Sequence, residues 1–137
     1  VTTAGVTELA RAATEHVSRV VFLSGHAGNA EPLRRAVERL RNEGRRVDGL
    51  LPHIPGADAH AGRPETSLML HLAPELVQMH AAEAGNTDDL STLMPAMRAG
   101  GVAAVSANGV LGDPSGASAV EGERLLQRLV DHALGSL

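Results

Sequence analysis

The stretch Val20-Val21-Phe22-Leu23-Ser24-Gly25-His26-Ala27-Gly28-Asn29 decides the fold. Its four apolar residues in a row read as a buried strand, and the small residues after them read as a tight loop. Asn29 is placed to cap a helix that runs to Glu43, with Leu33, Val37 and Leu40 in helical register. Gly44 stands where a helix commonly ends in the left-handed conformation. Upstream, Thr7 to Val17 puts Leu9, Ala10, Ala13 and Val17 on one helical face. A strand that enters a glycine loop and then a helix is the repeating unit of α/β folds with a parallel sheet.

The rest of the chain extends this pattern. Arg45 to Leu51 reads as a second strand, and Pro52 to Arg63 as a loop rich in Pro, Gly, His and Asp. Pro64 suits the first turn of a helix over Glu65 to Leu72, with Leu68, Met69 and Leu72 as its apolar stripe. Pro74 interrupts that helix, which Glu75 to Ala82 continues. Gly85 to Ser91 is a polar surface loop, and Gly101 to Ser106 a short third strand. Asn108 to Gly116 is a loop. Ser118-Ala119-Val120-Glu121 is a capping-box pattern that opens a last helix with Leu125, Leu129 and Val130 or Leu126 on its core face. The sum is one domain over residues 1–137, α/β, with a mostly parallel sheet. Two or three strands leave such a sheet poorly covered. The valine at position 1 and the early helix fit a domain whose N-terminal strands lie elsewhere. A valine-coded start is the plainer explanation of Val1.

Composition removes several classes of function. Among 137 residues one Phe is the only aromatic, so stacking platforms for single-stranded nucleic acid are lacking. A net charge of −4 argues against a surface that tracks phosphates. The chain has no cysteine, which excludes thiolate catalysis and Cys-ligated zinc. All 12 basic residues are arginine, which excludes a Schiff-base or P-loop lysine. No apolar run approaches the ~20 residues of a membrane helix, and no signal peptide is visible. These readings favour a soluble cytoplasmic protein with neither a nucleic-acid nor a membrane partner.

Two segments carry candidate chemistry. His26 follows the first strand, where parallel sheets bind ligands, and its small neighbours admit a metal or substrate. In the second segment Asp58, His60 and Glu65 fall within eight positions, ahead of and inside a helix start. An imidazole and a carboxylate there match the donors of zinc, manganese or iron sites. A carboxylate in a first helical turn also has a purely structural explanation in the helix dipole. His16, His71 and His80 read as solvated histidines, and His53 as a neighbour of the second segment. No serine stands in a nucleophile elbow, and no nucleotide-binding glycine motif is present.

The first segment resembles the strand and NGHGGN loop of the creatininase family of metal-dependent amidohydrolases. His60-Ala61-Gly62-Arg63-Pro64-Glu65-Thr66-Ser67 resembles that family's HAGxxETS segment, and the likeness runs on through Gly109-Val110-Leu111-Gly112-Asp113-Pro114. Within the family, Ala84-Gly85-Asn86-Thr87 and the run from Leu93 to Gly122 look closest to the mycofactocin-system branch, peptidases that trim a C-terminal dipeptide from a precursor peptide. The resemblance implies a three-layer α/β/α fold, a centre of two divalent metal ions (zinc, manganese or iron) and ring-like homo-oligomers. It implies His26 and Glu65 as metal ligands and His60 as the proton shuttle of amide cleavage. Asp58 and Asn29 are then candidates for holding the substrate, Asp58 also as a partner behind the metal.

Departures from the family pattern qualify this. The family's other ligands lie in an upstream Glu-x-His…Asp segment, whereas before His26 this chain has only the acids Glu8 and Glu15. Ser24 and Ala27 replace Asn and Gly, and Arg63 stands where an acid is common. Gly28 stands where creatinine hydrolases carry an acid, which disfavours creatinine as substrate. Alternative readings are a catalytically incompetent fragment or scaffold subunit, and a small-molecule domain that holds an anion at capped helix starts.

Overall fold

Val20 and Phe22 point one way from the first strand and Val21 and Leu23 the other, and this alternation organises the first of two compact units. The computed structural model describes residues 1–137. The units are Val1–His53 with His132–Leu137, and Ile54–Asp131.

In the first unit β1 (Val20–Leu23) pairs in parallel with β2 (Val47–Leu50), with Val20 opposite Val47 and Phe22 opposite Gly49. Helices α1 (Thr3–Ala13) and α2 (Ala30–Asn42) supply Val6, Ala10, Leu33, Ala36, Val37 and Leu40 to the core. Val47 completes that core, and Val20, Phe22 and Leu51 pack against it. The α/β character and the parallel sheet stand as the sequence implies. Within this unit, however, the sheet is covered on one face, and Leu23 on the other is 65% exposed. Helix α2 lies so close to β2 that a Cβ on Gly49 would stand 2.9 Å from Leu33 Cγ.

Helix α1 begins earlier than its apolar spacing predicts. Thr2 caps it by accepting a hydrogen bond from the Gly5 amide at 3.1 Å. That start turns Val6, Thr7 and Ala10 inward, while Leu9 is 62% exposed and Val17 lies on the surface. Thr7 is tolerated in the core because its hydroxyl donates to the Thr3 carbonyl at 2.8 Å. An arginine network ties the unit together. Arg11 pairs with Glu8 at 2.5 Å and bidentately with Glu43, and Arg19 and Arg41 both pair with Asp48. The Arg11 guanidinium holds the Glu43 carboxyl down at about 2.

The second unit holds α3 (Arg63–Leu72), α4 (Leu90–Gly100) and most of α5 (Ala119–Gly135). Helix α3 stops before Pro74, and the continuation over Glu75 to Ala82 is replaced by two short 3₁₀ turns, Pro74–Leu76 and Met79–Ala81. The third strand at Gly101 to Ser106 is also replaced, by a 3₁₀ turn over Val102–Ala104. Its physical cause is the spacing of Val102 and Val105. These half-buried residues are three apart, the period of a helical turn rather than of a strand. Gly101, at φ 71°, makes the entry into that turn. Helix α4 was not read from the sequence, since Pro95 sits inside it, yet its Leu93 is buried.

Residues 110–112 are extended and hydrogen-bonded on both sides. Leu111 exchanges two backbone bonds with His60, while the carbonyls of Val110 and Gly112 accept from the amides of Asn86 and Gly85, each at 3.0 Å. Helices α3 and α5 meet where Gly122 abuts the Ser67 carbonyl. Gly122→Ala raises helix propensity by about 1 kcal/mol, but its Cβ would collide with the Ser67 carbonyl oxygen. The net effect is a loss of about 1–3 kcal/mol, read as a lower melting temperature. A raised melting temperature would contradict this packing.

Candidate functional site

The second segment folds into a loop held both by its own motif residues and by the distant Leu111 and Asp113. His60 donates its amide to the Leu111 carbonyl at 3.1 Å and accepts from the Leu111 amide at 2.8 Å, so the backbone that carries the imidazole is tied on both sides. Ala61 follows with φ 53°, a left-handed conformation rare for a residue with a side chain. Its amide donates to Glu65 Oε2 at 2.5 Å. The same oxygen stands 3.4 Å from His60 Nδ1, with the two side chains 57% and 53% exposed. The carboxylate thus stands on the Nδ1 side of the imidazole, and Nε2 is the ring nitrogen away from it.

Asp58 sits behind this pair. Its Oδ2 accepts from the Arg63 amide at 2.8 Å and from the Asp113 amide at 3.4 Å. The side chain lies between Gly62 and Gly112, and a Cβ on either glycine would strike it. Asp58 thus clamps the loop before α3 to the loop after Leu111. Asp113 closes a turn by accepting from Ser115, an interaction that holds its carboxyl below the ordinary range.

A further set of side chains fixes the first turns of α3 and α5. Ser67 is completely buried, donates to Glu121 Oε2 at 3.0 Å and accepts from the Ser118 amide at 3.1 Å. Arg63 Nε pairs with the same Glu121 oxygen at 2.7 Å and holds that carboxyl low. The capping box is therefore half made. Ser118 accepts from the Glu121 amide at 3.2 Å, but the Glu121 carboxylate turns to Arg63 and Ser67. Arg63 and Ser67 bracket Glu65 by two residues on either side. Sequence reasoning missed both Ser67 and Glu121 as parts of this arrangement. A serine in the middle of a helix with an apolar stripe was the available signal.

His26 belongs to the first unit. It follows β1, is exposed, and its ring lies over Gly28, where a Cβ would stand 2.5 Å from Nε2. Asn29 does not cap α2. Its side-chain amide donates to Ser24 Oγ at 2.9 Å and its carbonyl oxygen accepts from the Val1 amino group at 3.1 Å. A 3₁₀ turn over Ala27–Asn29 takes the place of the cap. The structure thus brings His60, Glu65 and Asp58 together in one unit and leaves His26 and Asn29 in the other. No three His, Asp or Glu side chains gather closely enough to hold a metal ion, whereas three or four protein donors are typical. The donors of this chain alone do not fit a complete metal centre. No helix is long and apolar enough to cross a membrane.

Comparison with known proteins defines the class. The creatinine amidohydrolase family model matches residues 1–137, and the chain belongs to the creatininase family. It is 50% identical over 124 residues to the mycofactocin precursor peptide peptidase of Mycolicibacterium smegmatis, covering 90% of this chain and 50% of that protein. It is 48% identical over 130 residues to the protein of the same name from Mycobacterium ulcerans, covering 95% and 52%. The chain therefore spans about half the length of the curated relatives it matches. Among solved structures it is similar to a tryptophan-to-phenylalanine mutant of creatininase, at TM-score 0.74 and 25% identity, covering 98% of this chain and 61% of that one. A creatininase mutant of Zn-Zn type matches at TM-score 0.71 and 25% identity over 98% and 61%.

The contacts of Asp58 call for an acceptor rather than a charge. Asp58→Asn, which keeps an acceptor oxygen, leaves the 58–63 loop and the melting temperature nearly unchanged. Asp58→Ala leaves the Arg63 amide without its partner and costs about 1–3 kcal/mol. Equal losses in the two variants would show that the negative charge itself is required.

Proposed function

We propose that this chain supplies the proton-transfer half of a metal-dependent amide and peptide hydrolase, acting on the mycofactocin precursor peptide by removing its C-terminal dipeptide. One observation carries the reading. In a chain half identical to peptidases of that name, His60 is held on a doubly bonded backbone with Glu65 beside its Nδ1. In hydrolysis water adds to the amide carbonyl carbon, the C–N bond breaks, and a proton must reach the leaving nitrogen. His60 is the group that delivers it. Glu65 orients the ring, and Asp58 fixes the loop on which both stand, with Asp58 and Asn29 as candidates for contacts to the substrate.

His26 and Glu65 are proposed as ligands of a divalent metal, zinc, manganese or iron. When bound, such an ion polarises a carbonyl and acidifies water. The donors present do not complete that centre, so the remaining ligands are proposed to come from outside residues 1–137. The same reading takes residues 1–137 as part of one domain in a cytoplasmic homo-oligomer, in line with the family resemblance. The donor count also favours a second reading, a non-catalytic subunit of such an assembly.

Metal analysis and turnover separate the two. On the first reading, His60→Ala in the protein that carries the full donor set loses roughly 10²–10⁴-fold in peptide hydrolysis, with its metal content unchanged. Residues 1–137 alone bind divalent metal weakly. Unaltered turnover in the variant would remove His60 from the reaction, and tight stoichiometric metal in residues 1–137 alone would overturn the shared donor set.

A further inference from the structure

Beside the His60 loop the second unit carries a cleft of about 270 Å³. Ala61, Thr66, Val77, Met79, Val110 and the buried Pro114 are among the residues that line it. Ala61 is the residue whose amide holds Glu65, and Thr66 is the next residue after Glu65. The cleft thus begins one position from each member of the proton-transfer pair.

Its walls are built rather than loose. Asn108 donates to the carbonyl of Glu83 at 3.4 Å and accepts from the Val110 amide at 3.1 Å, so one side chain joins two segments of the lining. Ser106, itself buried, donates to the same Asn108 oxygen at 2.9 Å. The Asn86 amide bonds the Val110 carbonyl at 3.0 Å, and the 3₁₀ turn Met79–Ala81 contributes Met79 and Ala81 to the lining. The polar groups at the cleft are Gln78, Glu83, Asn108 and Thr66, and no arginine lines it. Its charge therefore repels an acidic group, and its apolar walls suit a hydrocarbon one. The volume lies just below the roughly 300–1,000 Å³ of pockets for drug-sized ligands, and it has room for one large side chain.

We infer that this cleft receives an uncharged, apolar side chain of the peptide substrate next to the amide that is cut. The assignment rests on the peptide-hydrolase reading and adds to it the part of the substrate that is recognised. Position supports it as strongly as chemistry does. A side chain seated against Ala61 and Thr66 leaves its own backbone beside the His60–Glu65 loop, since consecutive residues are separated by about 3.8 Å.

The test is an amide-resolved NMR titration of the 137-residue chain with N-acetyl-leucine amide, N-acetyl-glycine amide and N-acetyl-aspartic acid amide. The leucine compound is expected to shift the amides of Ala61, Thr66 and Val110, and to bind at least ~10-fold more tightly than the other two. Ala82→Phe, which fills the cleft from an exposed position, abolishes that preference. Met79→Ala, which enlarges it, moves the preference towards the larger N-acetyl-phenylalanine amide, titrated in the same way, and serves as a second variant should the first misfold. Equal binding of the leucine and glycine compounds, or shifts confined to other residues, would overturn the assignment. Peptide hydrolysis measured in the protein that carries the full donor set keeps the two claims apart. Leucine preference without hydrolysis supports the cleft while the hydrolase reading fails. Hydrolysis of leucyl and glycyl substrates at equal rates overturns the cleft while that reading stands.

Discussion

Two backbone hydrogen bonds between His60 and Leu111 are the constraint on which the candidate site depends. They convert a loop rich in Pro, Gly and His into one edge of a small extended assembly, with Leu111 in the middle and residues 85 and 86 on its far side. An imidazole on a free loop would sample many positions, and proton transfer needs one. The bridge fixes the backbone of His60. The left-handed Ala61 then turns the chain so that its amide meets Glu65. Conformational strain at that residue is offset by the bonds around it.

The surroundings reinforce the same geometry from behind. Asp58 fills the space that Gly62 and Gly112 leave open, and both glycines are buried. Arg63, Ser67 and Glu121 lock the first turn of α3 to the start of α5. Glu65 lies between the two anchored residues, so its carboxylate is held through its backbone as well as through Ala61. Pinning of this kind, with the reacting groups exposed and their supports buried or hydrogen-bonded, is what a preorganised site requires.

Much of the first unit was legible in the sequence because local signals agreed. The run Val20 to Leu23, the register of Leu33, Val37 and Leu40, and Gly44 at φ 77° each point to the element that forms. Legibility fell where one local feature overrides the apolar pattern. Thr2, not the apolar spacing, sets the start of α1. Pro95 hides α4, and the apolar run Gly101 to Ser106 suggests a strand although Val102 and Val105, three apart, make a turn. In the candidate site, the proximity of His60 and Glu65 followed from their motif. The partners that hold them did not, because Leu111 lies 51 positions from His60 and Glu121 lies 54 from Ser67, and each pairing exists only in the folded chain.

The central claim is that the His60 backbone is locked in the absence of any ligand. Amide hydrogen exchange of the 137-residue chain, resolved by residue, tests this directly. The account predicts that the His60 and Leu111 amides exchange as slowly as the core amides of α2, and far more slowly than that of Ala59 nearby. Exchange of His60 and Leu111 at the rate of the surrounding loop would contradict it.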